Sequence, residues 1–235
     1  MPTPSDLHNI YQGRPDSWQL EESVNDFIRR LPPHTSKLAD VGPWIWVANP
    51  HREGHDKSGQ QRIHDVLIPH GRDILQNAIS ERNRIRTQNA SHGMGAVTEL
   101  LNQQSEQLKQ NLADLAGWAN VLAGKWMLFP TNKDLVHVWQ LIVDGIINNR
   151  LGSAAKVATD NGSGDTRLIC VYTTDFRDTA DVARVLKELD SMGLVPCGRG
   201  IFYKSDAYTY LDIYGKNASD YGLQASMYSS QMMLK

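Results

Sequence analysis

The pattern of apolar positions along the chain changes character at Gly124. Before it, periodic segments are short and separated. Val24, Phe27, Ile28 and Leu31 fall at i, i+3, i+4, i+7 and predict a short helix over Glu21–Leu31, stopped by Pro32 and Pro33. Residues 1–20 have no strong period and read as an arm. Trp44-Ile-Trp-Val-Ala48 reads as a buried strand between Gly42-Pro43 and Asn49-Pro50. Residues 50–61 are polar and expected to form a mobile loop. Arg62 to Arg86 has helical character, with a break expected near Pro69-His70-Gly71 and a second from Asn89 to Gly95. Val97 to Gly117 is a polar helix whose Leu101, Leu108, Leu112 and Leu115 form a thin stripe, which suits a surface position.

From Gly124 onward, strands and one-sided helices alternate. Lys125–Phe129, Ala154–Thr159 and Thr166–Thr173 are strands, and Asn161–Asp165 is a turn. Gly200–Lys204 and Tyr208–Tyr214 are further strand candidates. Leu135, Val138, Trp139, Ile142 and Ile146 line one face of a helix over Asp134–Asn149. Val182, Val185, Leu186, Leu189 and Met192 line another, with Asp178 or Thr179 as its N-cap and Gly193 as its C-cap. Such a pattern packs helices on one face of a sheet. The other face is then covered by the N-terminal half or open to a ligand. The chain reads as a single domain over 1–235, with an N-terminal arm and short helix (1–40), a first strand and helical insertion (41–123) and a sheet-and-helix half (124–235).

Composition narrows the function classes. Hydrophobic residues are 40% and charged residues 21% of the 235, enough apolar surface for a packed core. A formal net charge of -2 excludes a uniformly basic nucleic-acid binder but leaves room for a local basic patch. Two cysteines, Cys170 and Cys197, make no disulfide framework, and Cys170 reads as a core residue. Neither a signal-peptide run nor a membrane-length apolar run is present, and a cytoplasmic location is expected.

The ordered set Gly124-Lys125-Trp126, a helix bearing Trp139, a strand ending Tyr172-Thr173-Thr174 and a long amphipathic helix resembles the cap-binding translation initiation factor. Trp44-Ile-Trp-Val, Gly124-Lys-Trp, Ile169–Phe176, Tyr203–Tyr214, Asn217 and Gly222-Leu223 resemble the basophilic-leukaemia-expressed (Bles-type) family of unknown function. The resemblance implies an α+β fold with a curved, mainly antiparallel sheet, helices packed on one face, and an initiation-factor-like arrangement. Some fungal proteins similar to this family are arginine-containing cyclodipeptide synthases. That likeness implies aminoacyl-tRNA partners, arginyl-tRNA and a second one, and no cofactor, metal, DNA or membrane.

Several polar residues stand out beside the apolar sheet. If Lys204-Ser-Asp206-Ala-Tyr208-Thr-Tyr210 is extended, Lys204, Asp206, Tyr208 and Tyr210 share a face and can hold a carbonyl oxygen and move a proton. The bland alternative is a surface ion pair beside packed tyrosines. Asp175 precedes the Asp178 cap and suits a guanidinium, as does Asp206, with Asp144 and Asp212 behind them. Lys125 points away from Trp126, either to a carbonyl or phosphate or out to solvent. The expected catalytic set is Lys125, Asp175, Lys204, Asp206 and Tyr208. Substrate contacts are expected from Trp46, Trp126, Tyr203, Tyr210 and Asn217, although most tryptophans equally suit a core. Lys57, Arg62, Arg82, Arg84 and Arg86 are expected to contact tRNA phosphates, the alternative being a solvated helix face. His51 and His55 form only a weak zinc candidate.

Overall fold

The computed structural model describes residues 7–51, 59–89, 93–162 and 164–235. The chain forms two compact units. The first comprises Met1–His55, Gly124–Tyr203 and Tyr228–Lys235, and the second Asp56–Ala123 and Lys204–Met227.

The fold is α+β. Among the described residues its sheet has six strands: β1 (Trp44–Ala48), β2 (Gly124–Leu128), β3 (Ala154–Ala158), β4 (Ile169–Thr173), β5 (Phe202–Ser205) and β6 (Tyr228–Ser229). They lie in the order β1-β3-β4-β2-β5-β6, an open sheet. The β1–β3, β3–β4, β2–β4 and β5–β6 ladders are antiparallel. Register sets the two faces. Val47, Ala155, Val171 and Trp126 stand in one row across four strands, and all are fully buried. Helix α7 (Thr179–Ser191) lies on this row, where Trp126 Nε1 donates to the Val182 carbonyl at 3.1 Å. Helix α6 (Leu135–Ile147) packs against β1 and β3 and buries Trp139 completely. Helix α1 (Val24–Arg30) packs on α6 and is capped by Ser23. Burying such a side chain contributes on the order of 1.5–3 kcal/mol, so this face supplies much of the first unit's stability. As expected, Asp178 caps α7 by accepting from Asp181 N, and Gly193, at φ 71°, ends it.

The N-terminal arm is part of the sheet's edge rather than a free extension. Trp18 N donates to the Trp46 carbonyl and Trp46 N to the Asp16 carbonyl, each at 2.9 Å. Asn9 Nδ2 donates to the Trp18 carbonyl, so the arm is pinned despite its lack of period. It occupies backbone groups that edge strand β1 would otherwise expose. The short helices α2 (Leu38–Val41) and α9 (Ser230–Met233) complete this unit.

The second unit is helical. It contains α3 (Gly59–Arg62), a π-helical turn (Ile63–Leu67), α4 (Ile68–Gln88), α5 (Met94–Trp118), α8 (Asp206–Tyr210) and a 3-10 turn (Ala218–Tyr221). The break expected at Pro69-His70-Gly71 does not occur. Proline lacks an N–H and clashes with the carbonyl four residues back in a regular helix. Here the π turn widens the spiral just before Pro69, with Ile68 N bonding Ile63 O, and α4 continues. Gly71 marks a close approach instead: a Cβ there would meet Leu211 Cδ2 at 2.3 Å. The leucine stripe of α5 (Leu108, Leu112, Leu115) is buried, as are Leu75, Ala78 and Ile85 of α4, in a helical hairpin. The strand expected over Tyr208–Tyr214 is also absent. Residues 206–210 are helix α8, because Ser205 Oγ accepts from Tyr208 N as an N-cap. The expected loop at 50–61 falls mostly on residues 52–58, outside the described residues.

Candidate functional site

In the first unit, the sheet face opposite the buried tryptophan row gathers aromatic rings and cations. Trp46, Lys156, Cys170 and Met127 form one row across the four strands; Tyr172 and Lys125 stand opposite each other beside it. The Lys156 ammonium lies 4.1 Å from the Trp44 ring centroid, 4.8 Å from Trp46 and 5.5 Å from Tyr172. Trp46 and Tyr172 stack at 6.2 Å with planes 21° apart. From the arm, Tyr11 tilts against Trp46 at 5.3 Å, and the Arg14 guanidinium covers the Tyr11 ring at 4.8 Å. Lys125, which is buried, lies 5.9 Å from the Tyr172 centroid. An ammonium over a ring face gains about 0.5–2 kcal/mol, more as water is removed. These rings therefore form a cage for a cation, and the chain's own Lys156 fills it.

Asp175 follows β4. Its carboxylate accepts from Arg177 Nε at 3.0 Å and from Arg177 Nη2 at 2.6 Å, a forked guanidinium contact. Burial pushes this carboxyl upward, but the Arg177 hydrogen bonds and charge outweigh it and hold it below the usual range. Tyr228 donates to the Phe176 carbonyl, and burial followed by the Asp175 charge pushes its phenol up. Two of the expected substrate contacts are core groups. Trp126 is fully buried, as is Tyr203, whose hydroxyl shares a 2.5 Å hydrogen bond with Thr173 Oγ1. Trp46 is half-buried and lies in the aromatic cage.

In the second unit, Lys204, Asp206 and Tyr208 do not share an extended face, because α8 begins at Asp206. Lys204 is buried; its ammonium donates to the Ile213 carbonyl at 2.7 Å and lies 3.6 Å from the Tyr214 ring centroid. Asp206 N donates to the Ala123 carbonyl, fixing the helix start. Tyr208 is buried and Tyr210 is 40% exposed. Burial, then the Asp206 charge, pushes the Tyr210 phenol up. Asn217 closes the loop after α8: its Nδ2 donates to Asp212 O, and its Oδ1 accepts from Tyr214 N. Its side chain is thus a loop clasp. The Lys204 ammonium thus meets a carbonyl oxygen of the fold itself, at a distance from which an ammonium can polarise an ester or amide.

The expected phosphate contacts divide. Arg82 is buried rather than solvated: its Nη1 donates to Leu101 O, Gln104 Oε1 and Ser105 Oγ. Burial, then the charge of Arg86, pulls its guanidinium below its ordinary value. Arg82 therefore joins α4 to α5. Arg84 forks onto Glu81 on the helix surface. Arg62 donates to Trp118 O, and Arg86 makes a long contact to Asn83. Lys57 lies outside the described residues, as does His55 of the weak zinc pair. Among the described residues no group of three His, Cys, Asp or Glu side chains is placed to hold a metal ion.

The family model of the basophilic leukemia-expressed protein Bles03 matches residues 2–212. The chain belongs to this family. The Bles03 match covers the arm, the aromatic cage and the Lys204–Tyr208 segment alike. The expected residues omitted Lys156, Tyr11, Arg14 and Tyr214. Lys156 was legible in principle. In Ala154-Ala-Lys-Val-Ala158 the two-residue period puts it opposite Ala155 and Val157. Tyr11 and Arg14 had no signal, since the arm has no periodicity. Among the described residues no helix is long and apolar enough to cross a membrane.

Proposed function

We propose that this Bles03-family chain uses arginyl-tRNA and a second aminoacyl-tRNA to form an arginine-containing cyclic dipeptide, on an initiation-factor-like fold. The reading rests on the resemblance to the fungal synthases, and one structural observation supports it: the buried Lys204 ammonium held on a carbonyl oxygen at 2.7 Å beside Tyr214. An aminoacyl ester is already activated, so the enzyme's work is positioning and proton handling. The free amine of one aminoacyl group attacks the ester carbonyl of the other. The amide forms, the ester C–O bond breaks, and the amine's proton leaves with the ribose hydroxyl of the tRNA. A second attack by the remaining amine closes the ring and releases the other tRNA. Lys204 polarises a carbonyl, and Asp206 and Tyr208 carry the proton. In the first unit, Asp175 has the fork geometry that a guanidinium needs, as its contact with Arg177 illustrates.

The test is incubation with arginyl-tRNA, a mixture of other aminoacyl-tRNAs and labelled arginine, read by mass spectrometry. A cyclic product is expected, falling about 10²-fold or more in Lys204→Gln. No cyclic product with any amino acid would reject the reaction.

The stacked Trp46 and Tyr172 rings favour a second reading, a non-enzymatic cap- or RNA-binding module. It predicts that a cap analogue quenches tryptophan fluorescence without turnover. Lys156 opposes it, because a cationic base must first displace an ammonium from the same ring faces.

A further inference from the structure

One cavity of the first unit shares no residue with the proposed reaction. It has a volume of about 570 Å³ at the far end of β2, and its walls include Met127, Phe129, Leu194, Pro196, Ile201 and Phe202. That volume and lining suit a small organic ligand. Phe129 is 59% and Phe202 44% exposed, so two phenyl rings meet water at a concave surface. Water-facing apolar area of this kind costs on the order of 25 cal/mol per Å² until something covers it.

The polar groups are few and placed at the rim. Asp134 there already accepts from the Thr131 hydroxyl at 2.6 Å. Arg199 is exposed, and among the described residues no carboxylate pairs with it. Its backbone is fixed. Gly198 (φ 83°) and Gly200 (φ 65°) flank it in the left-handed region. Ile201 N donates to Ser230 Oγ at 2.8 Å, and Gln231 Nε2 donates to the Gly198 carbonyl. Arg199 thus brings a fork-shaped anion donor to an apolar cavity, on a backbone segment that α9 holds on either side of it.

We propose that this cavity binds a small organic monoanion: an apolar or aromatic body seated against Phe129, Leu194 and Phe202, with a carboxylate or sulfonate on Arg199. The occupant is a free small molecule of that class. A neutral body of the same shape would leave Arg199 unused, and an amine would meet it with like charge.

The test uses the full chain and 1-anilinonaphthalene-8-sulfonate, an aromatic sulfonate that fluoresces when taken out of water. Its displacement is measured with 4-phenylbutyrate, 4-phenylbutanol and 4-phenylbutylamine. The acid is expected to compete about tenfold more strongly than the alcohol, by the usual worth of one charge-assisted contact, and the amine least. Arg199→Gln should bring the acid level with the alcohol. Val138→Phe, which fills the cavity while Arg199 stays in place, should abolish displaceable fluorescence with an unchanged far-ultraviolet circular dichroism spectrum. Equal competition by acid and alcohol in the unaltered chain overturns the proposal. So does dye binding that survives both substitutions, or no dye binding at all. Cyclic-dipeptide formation does not enter the readout, so the two proposals fail separately.

Discussion

The two units hold cations by different means. In the first, Lys156 and Lys125 rest on ring faces of Trp44, Trp46 and Tyr172. In the second, Arg82 donates to the Leu101 carbonyl, and Lys204 donates to the Ile213 carbonyl while also lying over the Tyr214 ring. A ring face accepts a cation over a broad range of positions, so such a contact tolerates displacement by another cation. A carbonyl fixes direction and distance, and leaving it unpaired costs about 1–3 kcal/mol. A ring-face contact thus leaves a cation's direction loose, and a carbonyl contact such as that of Arg82 makes a fixed frame. The apolar backing differs as well. The first unit carries fully buried Trp126 and Trp139, whereas the α4–α5 hairpin places a guanidinium, Ser105 and Gln104 in its seam.

The largest expected effect tests that backing. Trp139→Ala should cost about 4 kcal/mol, and Leu112→Ala in α5 about 3 kcal/mol. Both are measured by urea unfolding followed by circular dichroism. If the units unfold separately, the two variants shift different transitions; one common shift would remove the distinction. Next comes the fixed frame. A Cβ at Gly222 would lie 2.1 Å from Arg82 Nη1 and 2.3 Å from its Cζ, at a φ of 77°. Gly222→Ala should therefore cost about 3 kcal/mol. In the double variant with Arg82→Ala, the two losses should fall short of additivity by more than about 1 kcal/mol. Strict additivity would mean that Arg82 is not held where described.

A smaller effect is expected on the ring faces. Lys156→Met keeps the length of the side chain and removes the charge. It should cost about 1 kcal/mol or less in thermal unfolding, while changing tryptophan fluorescence and opening the cage to tetramethylammonium. A cage that still excludes that cation would not be Lys156's to fill. The smallest concerns Asp175. Its carboxyl is held below the ordinary range when folded, so its contribution is present above the unfolded value and is lost as the pH falls through the folded one. Unfolding midpoints compared between neutral and strongly acidic pH should show slightly less acid sensitivity in Asp175→Asn. The pair is partly exposed, so solvent screens it, and no change at neutral pH beyond a few tenths of a kcal/mol is expected.

The sheet was legible wherever period and burial agreed. Trp44–Ala48 forms the strand its apolar run predicts, and Asp178 and Gly193 bound α7 as cap chemistry requires. Legibility failed where a local device outweighed the pattern. Tyr208-Thr-Tyr210 alternates like a strand, yet the Ser205 cap turns it into helix. Pro69 reads as a stop, yet a π turn ahead of it lets the helix run on. The aromatic cage was half visible. Trp44 and Trp46 stand out in the sequence, but their cation comes from β3 and their cover from the arm, and only the register joins them.

Strand β6 is the last of the six to leave a ribosome. Until Tyr228 and Ser229 are made, the outer side of β5 has no neighbour, and all of residues 206–227 must be synthesised in the interval. At ribosomal speed that wait is on the order of seconds, long beside the microseconds in which a hairpin closes. An unpaired β5 next to the exposed ring of Phe202 is then an open strand edge of the kind that promotes aggregation. Crowding of ribosomes on its message should therefore bear on the yield of this protein.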